Sequence, residues 1–324
     1  MTISVNAINV HQALESLAAC TVWYPGYQEA MRLISKCIDT TRDRKDPSSA
    51  MLIGPTGVGK TRLCQMIVKQ MNPINPIQNS DKCVRLIRHC VYIELPESAT
   101  IKSLSLVMAR ALNEQPNDYQ SITTLETLIM QRLITMEVKL VIFDDFHHIA
   151  EKGRTKTKGS LCNWLIKLMN NSGIPFIISG STGAEATIDM VQELSDRFPY
   201  RARLKILPLA EDHSKPVLLG ILAGLQLEMI RLGELKAHIN LTDSNHYKAI
   251  YLATQGNFRR LSNLLHDSFK IALIRGDHTL TISDFANAAE DLAFCCSPNY
   301  FRMTSQQLNN ALKARSSRLA ESKK

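Results

Sequence analysis

The stretch AMLIGPTGVGKT, residues 50–61, decides the fold of this chain. Four apolar residues end at a turn rich in glycine, and residues 62–71 then carry apolar side chains at helical spacing. A strand, a turn and a helix in this order fit the pattern GxxxxGK[ST], whose backbone N–H groups surround the phosphates of a nucleotide. The sequence therefore predicts a P-loop between a buried strand and a helix that begins at Lys60.

Two side chains of this P-loop are predicted to act directly on the nucleotide. Lys60 would reach the β- and γ-phosphate oxygens, and the Thr61 hydroxyl would bind Mg²⁺. The alternative is a glycine-rich turn that matches the pattern by chance, and the flanking strand and helix argue against it. We therefore expect the chain to bind ATP with Mg²⁺.

An acidic pair follows another buried run. Residues 140–145 read LVIFDD, four apolar residues and two carboxylates, which is the form of a Walker B strand. Asp144 is predicted to hold the Mg²⁺ shell, and Asp145 to polarise the water that attacks the γ-phosphate. Most ATPases with this arrangement carry Glu at the second position, which is one methylene longer. Asp145 therefore predicts slow hydrolysis.

Further apolar runs repeat the pattern of the first strand. Runs at 50–53, 91–95, 140–143, 175–179 and 202–206 are short and bounded by turn signals, and stretches of helical period lie between them. Five buried strands that alternate with helices predict an α/β fold, in which a five-stranded parallel sheet is covered by helices on both faces.

The remaining segments read as helical. Two helices, at 10–22 and 26–41, precede the first strand, and no strand is predicted after Pro208. Four later helices are predicted at 214–233, 243–255, 257–275 and 282–294. The predicted division is N-terminal helices over 1–49, an α/β core over 50–208, a helical lid over 209–296 and a mobile basic tail over 297–324.

Composition excludes several classes of protein. The 324 residues are 45% hydrophobic and 21% charged, which is typical of a globular chain and not of a disordered one. The net charge of +8 suits a polyanionic partner. The eight cysteines include no CxxC pair, so we expect reduced, mostly buried thiols. The longest apolar stretch, 217–225, is too short to cross a membrane, and the opening residues lack the pattern of a secretory leader. We therefore expect a cytosolic protein without a membrane partner.

Several polar residues are candidates for contact with the γ-phosphate. Ser179 and Ser181, at the tip of the fourth strand, would each hydrogen-bond the phosphate or the attacking water, although serines at strand ends are also common without such a role. Arg197 follows a predicted helix and lies on the edge of the subunit. Arg259, in the run GNFRRL, would reach the phosphates from a lid, and a surface arginine after a C-cap glycine is the alternative.

His147 and His148 follow the acidic pair but have no second cluster at ligand spacing. We therefore interpret them as ordinary loop residues.

These motifs together resemble a known family. The order is the aromatic-proline turn at 24–25, GPTGVGKT, LVIFDD, the polar strand tip, DRF and GNFRRL, with helices behind them. This order resembles the initiator-like AAA+ ATPases. Within that group, residues 10–295 resemble the TnsC and TniB regulators of transposition.

The resemblance implies an ATPase that uses slow hydrolysis as an assembly switch. Such a protein oligomerises on duplex DNA as a ring or filament, and it links a target selector to the transposase in the bacterial cytosol. A helicase loader or replication initiator is the alternative within the same class. A small-molecule P-loop kinase and a signalling NTPase are alternatives outside it.

The resemblance also implies roles by position. Tyr24 and Pro25 would border the adenine, and Arg197 would reach the γ-phosphate of a neighbouring subunit. Arg259 would make the lid contact. The residues implied to surround the phosphates are Thr56, Gly57, Val58, Gly59, Lys60, Thr61 and Arg62.

Two predicted loops are candidates for binding DNA. Residues 97–103, with Lys102 and Ser103, follow the second strand, where initiator-like proteins place an insert that faces DNA. Residues 151–160 alternate cations with small hydroxyls, which suits phosphates without base readout, and a solvated charged turn is the alternative. The cations of this second loop proposed for DNA are Arg154, Lys156 and Lys158. The basic tail would either grip DNA or dock the transposase.

Overall fold

The computed structural model describes residues 5–75, 77–80, 83–96, 100–146, 155–209, 217–295 and 297–321. The chain divides into two compact units. The α/β unit is Gly26–Lys205, and the helical unit combines Met1–Pro25 with Ile206–Lys324. The sequence analysis groups the first two helices in one N-terminal segment, whereas the structure assigns them to different units.

The predicted strands and helices occur in the predicted order, with further elements between them. The first helix, α1 (Val5–Ala19), belongs to the helical unit. The next elements are α2 (Pro25–Arg44), β1 (Ala50–Ile53), α3 (Lys60–Met71), β2 (Ile77–Ser80), β3 (Cys83–Leu86), β4 (Cys90–Glu94), α4 (Ile101–Ala111) and α5 (Ile122–Thr135). The α/β unit ends with β5 (Leu140–Asp144), α6 (Thr155–Ser172), β6 (Phe176–Gly180), α7 (Thr182–Asp189), α8 (Gln192–Asp196) and β7 (Tyr200–Arg203).

One parallel sheet organises the α/β unit. Its strands lie in the order β4, β5, β6, β1, β7, and every neighbouring pair is parallel. All residues of the three central strands, β1, β5 and β6, are buried, because helices cover the sheet. The predicted five-stranded parallel sheet is confirmed. The P-loop that follows β1 and the acidic pair that begins at the end of β5 are therefore attached to the buried centre of the sheet.

Two features of the α/β unit differ from the sequence analysis. The antiparallel hairpin of β2 and β3 was not predicted, because its sequence is largely polar and its pairing closes it outside the main sheet. The stretch of helical period between the fourth and fifth predicted strands forms two short helices, α7 and α8. Asp189 at the end of α7 accepts hydrogen bonds from Ser195 at 2.6 Å and from Arg201 at 2.6 and 2.8 Å, and these contacts favour a break in the helix.

The helical unit contains more than helices. After α1 it contains α9 (Val217–Gly233), β8 (Ala237–His238), α10 (Ser244–Thr254), α11 (Phe258–Arg275), β9 (Thr279–Leu280), α12 (Ile282–Asp291) and α13 (Ser305–Glu321). Helix α1 packs against α9 and α11. The short strands β8 and β9 form a parallel pair, so the prediction that strands end at Pro208 was wrong.

The C-terminal segment is an ordered helix, which corrects its interpretation as a mobile tail. Helix α13 packs against α10, and Leu308 is buried in that contact region. Lys248 Nζ donates to Asn309 Oδ1 at 2.9 Å, and the Arg315 guanidinium lies 5.7 Å from the centre of the Tyr251 ring. The hydrophilic composition hid these anchors, because few apolar side chains are enough to attach an amphipathic helix.

The buried cysteines agree with the prediction of mostly buried thiols: Cys37, Cys64, Cys90, Cys162 and Cys295. Burial raises the pKa of the Cys37 and Cys90 thiols to about 12, so both stay protonated near neutral pH. Across the part of the chain that the structure describes, no helix combines the length and the apolar character needed to span a membrane.

Candidate nucleotide-binding site

The glycines of the P-loop hold a backbone shape that other residues would resist. Gly57 and Gly59 have φ of +82° and +94°, in the left-handed region that glycine adopts at little cost. A β-carbon at Gly54 would lie 2.4 Å from the carbonyl oxygen of Leu204. The Gly54 N–H donates to the Gly180 carbonyl at 3.1 Å, which ties the start of the loop to the end of β6. The start of the loop is therefore fixed between the end of β6 and the residue that follows β7.

Lys60 begins α3 and points into the loop that precedes it. Its side chain is buried, and Nζ donates to the carbonyl oxygens of Gly54 at 2.8 Å and Pro55 at 3.0 Å. Thr61 and Arg62, which follow in the first turn, are partly exposed. An ammonium group, a helix N-terminus and a curved run of amides form the arrangement that binds phosphate groups.

Asp144 ends β5 as a fully buried carboxylate with two protein donors. Tyr92 Oη donates to Oδ2 at 2.9 Å, and the Asp145 N–H donates to Oδ1 at 2.9 Å. Burial, together with the negative charge of Asp144, raises the pKa of Tyr92, so the phenol remains a donor. A carboxylate oriented in this way and the Thr61 hydroxyl are oxygen ligands of the kind that Mg²⁺ prefers.

Tyr92 was not predicted from the sequence. It lies opposite Ile142 in the pairing of β4 with β5, and that register is known only from the sheet. The one available signal was a tyrosine inside an otherwise apolar strand.

Asp145 adopts an unusual backbone conformation. Its φ is +58°, in the left-handed region, where Asp and Asn are found more often than longer side chains. This conformation gives a physical reason for Asp at a position where the resemblance leads one to expect Glu.

Ser179, Lys60 and Asp144 all influence the pKa of the buried Cys64 thiol in α3. Burial raises the pKa of Cys64 well above its usual value, the charge of Asp144 raises it further, and Ser179 and Lys60 lower it. Apart from this weak contact with sulfur, Ser179 Oγ has no hydrogen-bond partner among the described residues. The structure therefore brings three of the predicted site residues together.

Ser181 lies in a different environment. It is partly exposed at the N-cap of α7, and its side chain makes no capping hydrogen bond to that helix. The two candidate serines are thus distinguished by burial.

Arg197 lies at the end of α8 with weak ionic partners. Its guanidinium is 3.7 Å from Asp46 and 3.6 Å from Glu193, and both carboxylate side chains are more than 60% exposed. The Arg197 side chain itself is 19% exposed, and its carbonyl accepts from the Ser49 N–H at 2.7 Å. The backbone of Arg197 is therefore held firmly, while its charge is loosely paired.

Two predicted motifs meet within the helical unit. The ring of Tyr24 lies 5.3 Å from the ring of Phe258, so the aromatic-proline turn contacts the run GNFRRL. Asn257 caps α11 by accepting from the N–H groups of Arg259 and Arg260, and the Arg259 side chain is exposed. Gly256 is required before this cap, because a β-carbon there would lie 2.0 Å from the Leu207 carbonyl oxygen. The roles of Tyr24, Pro25 and Arg259 toward a nucleotide remain predictions.

The candidate DNA-binding residues differ in their structural surroundings. Lys102 is exposed in the first turn of α4, whereas Ser103 forms a capping box with Thr100 and so has a structural task. Lys156 and Lys158 lie in α6, which begins at Thr155, so this part of the predicted loop is helical. Arg154, His147 and His148 lie outside the described residues.

Comparisons with solved structures agree on the fold. The ORC1 protein of Aeropyrum pernix, solved in complex with DNA, matches with a TM-score of 0.57 and 14% identity over 84% of this chain and 66% of that chain. The ORC2 protein of the same organism matches with a TM-score of 0.57 and 13% identity over 81% of this chain and 66% of that chain. A Walker-type ATPase of Pyrococcus abyssi matches with a TM-score of 0.50 and 12% identity over 90% and 76%. At these identities the likeness shows the AAA+ ATPase fold, and this chain spans just under two thirds of each ORC chain.

Sequence comparison gives the family. No curated protein matches the chain. The family model described as bacterial TniB protein matches residues 18–205, which is more than half of the chain and includes the P-loop, the acidic pair and Arg197. The chain therefore belongs to the TniB family, as its motifs led us to expect.

Proposed function

We propose that this protein is an ATP-dependent, DNA-binding regulator of transposition in the bacterial cytosol. It oligomerises on duplex target DNA and links a target selector to a transposase. The observation that carries the ATP assignment is Lys60, buried inside a P-loop in the same cluster as the buried Asp144 carboxylate. Membership of the TniB family supports the role in transposition.

ATP hydrolysis is the proposed reaction. An oxygen of water bonds to the γ-phosphorus while the bond to the β–γ bridging oxygen breaks, which yields ADP and phosphate. Lys60 and the loop amides bind the phosphates, and Asp145 orients the water and accepts its proton. Thr61 and Asp144 would hold Mg²⁺, which neutralises developing negative charge when bound. Ser179, Ser181 and Arg259 are proposed to contact the γ-phosphate region, and Arg197 to reach the nucleotide of a neighbouring subunit.

Hydrolysis is proposed to be slow and to act as an assembly switch. The side chain of Asp145 is one methylene shorter than that of Glu, so its carboxylate reaches less far toward a water molecule. ATP binding then stabilises the assembled form, and hydrolysis releases it. The ORC2 relative, solved as complexes with ADPNP and ADP, supports nucleotide binding by this fold.

DNA contact is proposed to use phosphates and not bases. Lys102 occupies the first turn of α4, where the helix dipole disfavours a cation, so it is placed there at some cost to stability. We propose Lys102 with Ser103 and the cations at 154, 156 and 158 as the DNA-facing set. The ORC1 protein solved in complex with DNA supports DNA binding by a protein of this fold.

Electron microscopy of the purified chain tests this function. The chain is mixed with duplex DNA and either a slowly hydrolysed ATP analogue, ADP or no nucleotide, and Lys60→Ala serves as the matched variant. We expect rings or filaments around DNA only for the wild type with the ATP analogue. Equal assembly with the ATP analogue, with ADP and without nucleotide, or assembly that persists in Lys60→Ala, contradicts the proposal.

A further inference from the structure

A tyrosine outside every motif touches the P-loop. Tyr27, in the first turn of α2, donates from Oη to the carbonyl oxygen of Gly59 at 2.9 Å, and its side chain is only 3% exposed. A β-carbon at Gly59 would lie 2.1 Å from that hydroxyl oxygen. The hydroxyl is therefore seated directly against the left-handed glycine that precedes Lys60.

The bond acts on the peptide group that opens α3. The Gly59 carbonyl and the Lys60 N–H belong to one planar peptide, so holding the carbonyl fixes the direction of the N–H. The same carbonyl also accepts from the Leu63 N–H at 3.0 Å, so it receives two hydrogen bonds. Each of these bonds polarises the peptide and makes the Lys60 N–H a stronger donor. Amides at a helix N-terminus, such as this one, are the groups that bind phosphate.

We propose that Tyr27 is a positioning residue for the β-phosphate of the nucleotide. Its hydroxyl holds the Gly59–Lys60 peptide so that the Lys60 N–H points into the phosphate-binding loop. This inference rests on the proposed function, because it requires a nucleotide in that loop. It adds a residue far from the P-loop in sequence to the machinery that binds it.

Tyr27 remains a donor under ordinary conditions. Burial raises its pKa to about 12, and the charge of Arg62 opposes that rise. The phenol therefore keeps its proton throughout the pH range in which nucleotide binding is measured.

A purely structural role for Tyr27 predicts something different. In that case the hydroxyl only anchors α2, as Tyr200 does through its 2.7 Å hydrogen bond with Thr40 near the other end of the helix. Tyr200 pairs with Ala50 at the start of β1, whereas the P-loop follows the end of β1. Tyr200→Phe is therefore a matched control that removes a tyrosine hydroxyl bonded to the same helix and leaves the P-loop untouched.

The experiment compares ADP with AMP, which lacks the β-phosphate. Displacement of a fluorescent ADP analogue gives both affinities for the wild type, Tyr27→Phe and Tyr200→Phe. We expect Tyr27→Phe to weaken ADP binding by about 3- to 10-fold, the loss of one hydrogen bond, and to leave AMP binding unchanged. Tyr200→Phe should change neither affinity. Thermal unfolding of all three proteins checks that they are folded.

Three outcomes overturn the inference. They are unchanged ADP affinity in Tyr27→Phe, an equal loss for ADP and AMP, or the same ADP loss in Tyr200→Phe. If Tyr27→Phe does not fold, 4-fluorophenylalanine at position 27 fills the volume of the hydroxyl without donating, and the same expectations apply to it. Failure of the wild type to bind ADP would instead contradict the proposed function.

Discussion

The candidate site residues of this chain form an inner group of buried side chains and an outer group of exposed ones, and the two groups have different surroundings. Lys60, Asp144 and Ser179 are buried in the α/β unit and all influence the pKa of one buried thiol. Lys102 and Arg259 are exposed at the first turns of their helices. The first group is positioned by neighbouring strands and by the P-loop, whereas the second presents charge to solvent. The inner group is thus formed within the α/β unit, while the side chains of the outer group are open to solvent.

Arg197 combines features of the inner and the outer group. Its backbone is anchored at Ser49, yet its guanidinium has only long contacts to two exposed carboxylates. Exposed ion pairs of this kind contribute about 0–1 kcal/mol, so a stronger anionic partner would displace them. A firm backbone with a loosely paired charge suits a residue that acts on a neighbouring subunit.

Lys60→Ala should have the largest effect, because it removes the cation of the inner group. The variant should lose ATP binding and with it all ATP-dependent assembly, while thermal unfolding changes little. Isothermal titration with ATP measures the loss. Lys69→Ala, an exposed lysine at the other end of α3, is the control. Equal ATP affinity in Lys60→Ala and the wild type would contradict the P-loop assignment.

Arg197→Ala should leave the inner group intact and remove the arginine that is proposed to contact the nucleotide of a neighbouring subunit. An arginine finger accelerates hydrolysis by about 10³- to 10⁵-fold, so turnover should fall by that order while the monomer still binds ATP. Steady-state phosphate release measures the rate. Mixing Arg197→Ala with Lys60→Ala should restore part of the activity, because each subunit supplies what the other lacks. Absence of rescue at every ratio counts against action in trans.

Asp145→Asn, next to the inner group, should keep ATP binding and remove ATP hydrolysis. Asn tolerates the left-handed backbone as Asp does, so the thermal midpoint and ATP affinity should not change. Hydrolysis should fall by about 10²- to 10⁴-fold, the usual contribution of a general base. Assemblies on DNA should then persist after ATP is added. Unchanged turnover would show that another group activates the water.

Tyr92→Phe should weaken Mg²⁺ binding and leave the fold in place. Removing the hydroxyl frees Asp144 Oδ2 from its donor, so the carboxylate is less well oriented. Groups that orient metal ligands typically contribute about 10- to 100-fold in metal affinity. Titration of Mg²⁺ at fixed ATP should show a shift of about 10-fold. Tyr200→Phe should show none, and an equal shift in that control would make the effect nonspecific.

Lys102→Ala should have the smallest effect and tests the outward group. Each phosphate contact removed lowers the slope of log affinity against log salt by about 0.9. Titration with two unrelated duplexes at several salt concentrations, in the presence of ATP, measures the slope, with Lys69→Ala as control. We expect the same loss on both duplexes. A loss that depends on the duplex sequence, or no change in slope, excludes phosphate contact at Lys102.

The elements of the fold were predictable where the signal is local. Buried strands are recognised from short apolar runs, and the start of α3 from the glycines and Lys60. Two strand pairs were not predicted, β2 with β3 and β8 with β9. Each of these strands is stabilised by pairing with its neighbour, and its own composition gives no clear strand signal. Helix α13 escaped for the same reason, since Leu308 and Arg315 matter only beside α10.

The sequence by itself determined the chemistry of this protein, and the tertiary structure decided which side chains support it. A P-loop needs glycines at left-handed positions and a lysine at a helix start, and those requirements are written within one short stretch. Tyr27 and Tyr92 are separated from Gly59 and Asp144 by 32 and 52 positions. Contacts across such distances depend on how helices and strands pack, which no local pattern specifies. The burial of these hydroxyls in the α/β unit is therefore the part of the site that only the fold revealed.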